Sequence, residues 1–301
     1  VRFFVKKFRF QRAGAFFMPK RQAHGFPKNR SIFEQARISV AFFLPSILLF
    51  PSMRTLLFLL SLLVFSRFTP AQSPQKPPLK VIPLGDGVYV HVSYNFYQNT
   101  AIPANGLIIK TSDGVVIVDT AWDTKDDTDN TRQLLRYIAD SLHQPVRLCI
   151  VTHAHEDRVG GIGELRKAGV RVISTPLTAR KSVQLGYESP EGSLPADTTF
   201  VVGRVPIRCF FPGEGHTTDN IVVWLPRQRI LHGGCLVKSV AVFGMGNLAD
   251  ANLKQWANSI QRLQAQFGSA RIVVPGHEEW SGTNALAHTV RLVEKYNAAH
   301  R

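Results

Sequence analysis

Two imidazoles and a carboxylate fall within five positions at His153-Ala154-His155-Glu156-Asp157, directly after the apolar run 148–151. Imidazole nitrogen and carboxylate oxygen are ligand types that suit Zn²⁺. A strand that ends in a His-x-His-x-Asp loop can aim three side chains into one crevice. Alternation puts His153, His155 and Asp157 on a common side while the backbone stays extended. The competing reading is a polar loop that happens to hold two histidines. Three further residues of ligand type each follow an apolar run: His216 after 207–211, Cys235 after Ile230-Leu231, and His277 after 272–274. Four loops at strand ends can converge on one edge of stacked sheets. That gives each of two metals three protein ligands and leaves room for water.

Such convergence needs a particular scaffold. Residues 88–92, 106–110 and 115–119 are expected as strands, parted by turn residues such as Ser112-Asp113-Gly114. Residues 126–142 place Leu134, Leu135 and Ile138 at helical spacing. Residues 148–151 predict a buried strand, 161–168 start a helix, and 170–174 with 176–184 repeat the strand–helix pattern. A second strand-rich block covers 199–202, 207–211, 221–225 and 229–231. A helix over 253–267 carries Leu253, Trp256, Ile260, Leu263 and Phe267 on one face. A strand at 272–274 and a helix at 285–297 close the chain. Two strand-rich halves, each with its helices, imply an α/β fold whose sheets pack face to face with helices outside.

The charge is unevenly spread. The formal net charge is +15, yet 10 of the 36 Lys+Arg and only one of the 21 Asp+Glu lie in the first 52 residues. A nucleic-acid binder carries its basic stripe through the folded domain, so no nucleic-acid partner is expected. Residues 53–71 have the three parts of an export signal: Met53-Arg54, an apolar core over 56–65, and a small residue, Ala71, for cleavage. Residues 1–52 are expected to be an upstream extension outside the fold. The alternative is a membrane-anchoring region, since 40–50 is a second apolar run, interrupted by Pro45. Residues 72–80 are expected to form a proline-rich tether, and 81–301 the folded domain, periplasmic or secreted, with no stable membrane span in the mature form. Cys149 and Cys209 sit in apolar runs and are expected as core thiols.

In these residues the chain resembles the metallo-β-lactamases, and specifically subclass B1. His153-Ala154-His155-Glu156-Asp157-Arg158 with Val159-Gly160-Gly161, then Gly215-His216-Thr217-Thr218-Asp219-Asn220, then Gly233-Gly234-Cys235-Leu236-Val237-Lys238-Ser239, then Gly246-Asn247-Leu248-Ala249-Asp250-Ala251, and finally Pro275-Gly276-His277 follow the family's motifs in order. The resemblance runs from about Val81 to the C-terminus. It implies a four-layer αβ/βα sandwich with the site at one edge. It implies two zinc ions per chain, the first held by His153, His155 and His216, the second by Asp157, Cys235 and His277. The implied activity is hydrolysis of the β-lactam amide bond by a metal-bound hydroxide, conferring resistance to these antibiotics, carbapenems included, in a monomer.

The same resemblance assigns other roles. Asp157 orients the attacking hydroxide, and Arg158 stands behind the ligands, steadying the loop and the Cys235 thiolate. Lys238 pairs with the substrate carboxylate; its alternative is a solvated surface lysine. Asn247 donates to the lactam carbonyl oxygen; its alternative is a turn asparagine. Residues 93–104 form a mobile loop that covers the substrate with an aromatic tip, Phe96 or Tyr97. Trp122 stands near the site or is a buried structural tryptophan. Asp219-Asn220 organises the loop behind His216, while His91, His143, His232 and His288 are ordinary histidines. Relatives that act on lactones or thioesters carry a second His directly after the Asp of the first motif; here Arg158 takes that position and Cys235 supplies a thiolate. A hydrolase of lactones or thioesters, or a zinc-binding protein without catalysis, remain the alternatives. Glu278 departs from the family pattern, which has Gly there.

Overall fold

The computed structural model describes residues 75–280 and 284–300. The export-signal segment 53–71, the extension 1–52 and the start of the tether lie outside the described residues. No helix among the described residues is long and apolar enough to cross a membrane.

Two sheets follow one another along the chain. The first has seven strands in sequential order: β1 (Lys80–Gly85), β2 (Val88–Tyr97), β3 (Thr100–Thr111), β4 (Gly114–Val118), β5 (Val146–Ile150), β6 (Arg171–Ser174) and β7 (Glu191–Gly192). The second has five, in the order β12 (Ile272–Pro275), β11 (Ile230–Gly234), β10 (Val222–Leu225), β9 (Val205–Phe210) and β8 (Asp197–Val202). Among the described residues six α-helices accompany them: α1 (Asp129–Tyr137), α2 (Glu156–Val159), α3 (Ile162–Lys167), α4 (Pro176–Gln184), α5 (Leu253–Phe267) and α6 (Asn284–Ala299).

Period-two alternation sorts the strand side chains into layers. Val116, Val118, Leu148 and Ile150 of the first sheet meet Ile207, Cys209, Val223 and Leu225 of the second in a shared apolar seam. Their neighbours Val115, Ile117 and Cys149 face the other way, onto Leu134, Ile162 and Leu165 of α1 and α3. On the far side, Val222, Leu231 and Val273 pack against Trp256, Ile260, Leu263 and Phe267 of α5 and Val293 of α6. Helix, sheet, sheet and helix make the four-layer αβ/βα sandwich. Cys149 and Cys209 are core thiols, fully buried.

The helix expected over 126–142 is α only to Tyr137. It then widens into a π-helical turn, Ile138–Leu142, and ends at His143 in the left-handed region. The larger difference concerns residues 93–104. Instead of a loop they continue a hairpin, paired without interruption from Val88↔Ile109 to Tyr97↔Thr100. The turn is Gln98-Asn99, both at positive φ (48° and 64°), as a two-residue hairpin connection requires. Neither residue pair nor composition announced it, because the usual Gly is missing.

Candidate metal centre

Strand direction explains why the six ligand-type residues meet. β4, β5 and β6 run parallel, as do β11 and β12, and β9 shares the direction of β11 because both are antiparallel to β10. The loops after β5, β9, β11 and β12 therefore open at carboxyl ends, where α/β folds place their sites. From the loop after β5 come His153, His155 and Asp157; His216 follows β9, Cys235 follows β11, and His277 follows β12.

Three imidazoles form one triangle. Ring centroids of His153, His155 and His216 lie 4.9, 5.1 and 4.9 Å apart, with planes 75–87° to one another. Their facing nitrogens all fall within 4.8 Å, and His155 Nδ1 sits 3.0 Å from His216 Nε2. Burial, reinforced by the neighbouring ring, pushes His153 and His216 well below the ordinary imidazole value. Both are thus neutral and carry a lone pair. His153 Nε2 is buried with no partner among the described residues. A buried acceptor without a donor is costly, and a cation held between the three rings would satisfy it. On the outer side His155 Nε2 meets Asp250 Oδ2 at 2.8 Å, which fixes the ring.

The second triangle is charged. Asp157 Oδ2, Cys235 Sγ and His277 Nε2 lie 3.5, 3.2 and 3.2 Å apart. Carboxylate, thiolate and imidazole are a fitting donor set for Zn²⁺. His153 also lies within 4.8 Å of Asp157 and Cys235, so the two triangles adjoin. Alternation along an extended strand does not carry Asp157 here. The chain is extended only to His155 (φ −84°, ψ 155°) and then turns into α2. That turn is what separates Asp157 from the two histidines.

Arg158 organises the second triangle from behind. Its side chain is fully buried and donates to Cys235 Sγ (3.0 Å), Asp157 Oδ2 (2.9 Å), Gly276 O (2.8 Å) and Asn105 O, with Asp119 Oδ2 at 3.5 Å. Burial alone would lower its pKa, but Asp157, Cys235 and Asp119 outweigh it and hold the guanidinium charged. Burial would likewise raise Asp157, yet Arg158 and then His277 keep it well below the usual carboxylate range. Burial opposes a charged His277, but Cys235 and Asp157 win and take it up to about 10. Close approach demands glycine at position 276, where a Cβ would stand 2.5 Å from Cys235 N and 2.8 Å from Arg158 Nη2.

Several supporting residues had no signal in the sequence. Asp119, buried at φ +63°, accepts from Thr152 N (2.7 Å) and Thr152 Oγ1 (2.9 Å), and contacts His232 Nε2 at 3.1 Å. It ties the end of β4 to the loop after β5, and a strained backbone of this kind marks functional sites. The hairpin contributes Pro103 O, which contacts His277 Nδ1 at 2.7 Å, and Asn105, whose Nδ2 donates to Pro275 O and Glu278 O. Asp219 Oδ2 accepts from Ala154 N (3.0 Å) and Asn220 Oδ1 from Thr217 N (3.1 Å), so the pair does brace the His216 loop. His91, His143, His232 and His288 join neither triangle; burial lowers His91 to about 4.

An open cleft of about 380 Å³ lies over both triangles, lined by His155, Asp157, His216, Cys235 and His277 together with Trp122, Glu156, Tyr187, Lys238, Asn247 and Asp250. Trp122 stands in the cleft wall; its ring is edge-on to His277 at 6.0 Å, and Nε1 donates to Glu156 Oε1 at 3.0 Å. Glu156 also accepts from Tyr187 Oη at 2.9 Å. Lys238 is not a solvated surface lysine: its ammonium lies 5.3 Å over the Trp256 ring, and burial pulls its pKa below the ordinary value. Asn247 is exposed, with Oδ1 accepting from Ala249 N at 3.0 Å, and its Nδ2 has no partner among the described residues. Tyr97, at the hairpin tip and 65% exposed, lines a neighbouring cavity with Trp122 and Asn247; Phe96 does not line it.

Comparison with known proteins agrees with this architecture. Residues 99–277 match the model of the metallo-beta-lactamase superfamily. The chain is 40% identical over 216 residues to the metallo-beta-lactamase type 2 of Bacillus cereus, covering 72% of this chain and 83% of that protein. It is 34% identical over 247 residues to the metallo-beta-lactamase type 2 of Bacteroides fragilis, covering 81% and 97%. Among solved structures, a metallo-beta-lactamase from Pontibacter korlensis is similar with TM-score 0.69 at 41% identity, over 72% of this chain and 99% of that one. One from Pseudomonas aeruginosa, in a mono-zinc form, gives TM-score 0.68 at 34% identity, over 74% and 98%. The chain belongs to the metallo-β-lactamase superfamily.

Proposed function

We propose that the protein is a subclass B1 enzyme that hydrolyses the amide bond of β-lactams at a two-zinc site and so confers resistance to these antibiotics, carbapenems included. The observation that carries the reading is the pairing of Cys235 with Arg158 at 3.0 Å beside Asp157 and His277, next to a separate triangle of three imidazoles. His153, His155 and His216 would hold one ion, and Asp157, Cys235 and His277 the other. Zinc at such sites supplies a Lewis acid that makes water a nucleophile at neutral pH and offers positive charge to a departing nitrogen.

The protein's own residues do the rest. Lys238 binds the substrate carboxylate by a charge-assisted contact, and its place above Trp256 holds the ammonium at the cleft wall. Asn247 Nδ2 donates to the lactam carbonyl oxygen as charge develops there. Asp157 Oδ2 is engaged by Arg158 and His277, which leaves Oδ1 to orient water. Trp122 and Tyr97 form apolar walls that exclude solvent from the bound ring. The family's lactone and thioester hydrolases are a weaker reading, because a second imidazole after Asp157 is replaced by the buried Arg158. The working form begins near Gln72 after export to the periplasm or medium, and acts as a monomer on a small-molecule substrate.

The test is turnover of a penicillin and a carbapenem by protein beginning at Gln72, with and without chelator. Chelator-sensitive hydrolysis of both is expected; no chelator-sensitive turnover of any β-lactam would refute the reading.

A further inference from the structure

We propose that Glu278 makes one arm of the cleft selective for substrates that carry a cationic substituent. The inference rests on the β-lactam reading above. A second cavity of about 300 Å³ adjoins the main cleft through Lys238 and His277, and Ile102, Val237, Val242 and Glu278 also line it. Its walls are largely apolar, so a lone carboxylate there has an outsized effect on which ligands enter.

The backbone around Glu278 is pinned. Asn105 Nδ2 donates to Glu278 O and Ser239 Oγ to Glu279 O, each at 2.7 Å. Glu278 itself sits at φ +62°, a left-handed conformation that disfavours an L-residue and costs glycine almost nothing. The fold therefore gains nothing from glutamate at this point. The only hydrogen bond of Glu278 among the described residues is at its carbonyl, and its carboxylate forms no ion pair there. Lys238, which lines the same cavity, lies over the Trp256 ring instead. Among the described residues neither the Lys238 ammonium nor the Glu278 carboxylate has an ion-pair partner, so this arm holds charges of opposite sign among apolar side chains.

A ligand that matches this pattern has a carboxylate for Lys238, an apolar linker, and a cation for Glu278. Among β-lactams that describes a quaternary ammonium or protonated amine on the ring that bears the carboxylate. An anionic group at the same place meets repulsion.

The test uses the zinc-loaded protein and three cephalosporins that differ only in that ring substituent: a pyridinium-methyl, a neutral acetoxymethyl and a carboxylate. In Glu278→Gln the ratio of kcat/KM for the cationic over the neutral compound should fall about 2- to 5-fold, the range for a partly solvated ion pair. The change should sit in KM, and Glu278→Lys should invert the preference toward the anionic compound. Raising salt from about 0.05 to about 0.5 M should erode the preference of the unaltered protein and leave that of Glu278→Gln flat. Thermal melting and bound zinc check that both variants are folded, and Glu278→Gly serves as a further neutral variant compatible with the backbone. An unchanged ratio in Glu278→Gln and Glu278→Gly, alongside normal turnover, overturns the assignment of Glu278 alone. Absence of turnover of all three compounds by the unaltered protein overturns the β-lactam reading with it.

Discussion

Around His153, His155 and His216 three imidazole rings meet edge to edge, and His153 Nε2 has no partner among the described residues. Around Asp157, Cys235 and His277 a carboxylate, a thiol and an imidazole crowd against the buried Arg158. The first cluster is held in place by its loops and lacks a counter-group for its lone pairs. The second already has a cation among its anions, so it is largely satisfied before any metal arrives. Pre-organisation without an ion is expensive for the first and cheap for the second.

The largest expected effect comes from removing one ligand on each side. Cys235→Ser should release the second ion far more than the first, and His216→Ala the reverse. Each loss of affinity should exceed the roughly 10- to 100-fold caused by altering a residue behind a ligand. Metal content and competition titration decide it; equal weakening of both sites in both variants would break the comparison.

A smaller effect sharpens it in metal-free protein. Arg158→Ala should cost about 3–5 kcal/mol, because Asp157 and Asp119 are left buried without their cation. Metal-free His216→Ala should cost only on the order of 1–2 kcal/mol, a typical value for a single substitution. Denaturant unfolding measures both, and equal losses would contradict the contrast.

A last, pH-confined effect concerns Asp123, a buried carboxylate with the opposite bias to Asp157. Burial raises it to about 6, against hydrogen bonds from Thr131 that lower it. A carboxyl raised in the folded state stabilises fully below its unfolded value near 3.8, and the contribution is lost as pH rises through about 6. Relative to Asp123→Asn, the unaltered protein should therefore lose up to about 3 kcal/mol between pH 4 and pH 7. A pH-independent difference in unfolding free energy would show that Asp123 does not titrate in this window.

Much of this site was legible in residue type and spacing. The six ligand-type residues each follow an apolar run, and period-two alternation already separates seam from helix-facing positions. What was hidden lies in backbone geometry. The Gln98-Asn99 turn carries no glycine, so the hairpin looked like a loop. Asp119 ends an ordinary strand, and only the parallel pairing of β4 with β5 places it beneath Thr152 and Arg158. Asn105 likewise acts at a distance of some 170 residues in sequence, on the loop of His277. Such partners share no local pattern with the groups they hold. Glu278 is the instructive exception, since its departure from glycine was visible and its positive φ explains why glycine is the easier choice.

One consequence follows from the order of the strands. The first sheet is made entirely from residues up to Gly192 and the second entirely from residues from Asp197 onward. His153, His155 and Asp157 belong to the first half, and His216, Cys235 and His277 to the second. Neither triangle is complete within one half, so an ion in either would act as a cross-link across the seam. Ligation and docking of the halves are then a single equilibrium, and free metal at a hundred times its dissociation constant would tighten the docked state by about 2.7 kcal/mol. Chelation would loosen the sandwich along its central seam as well as silence its chemistry.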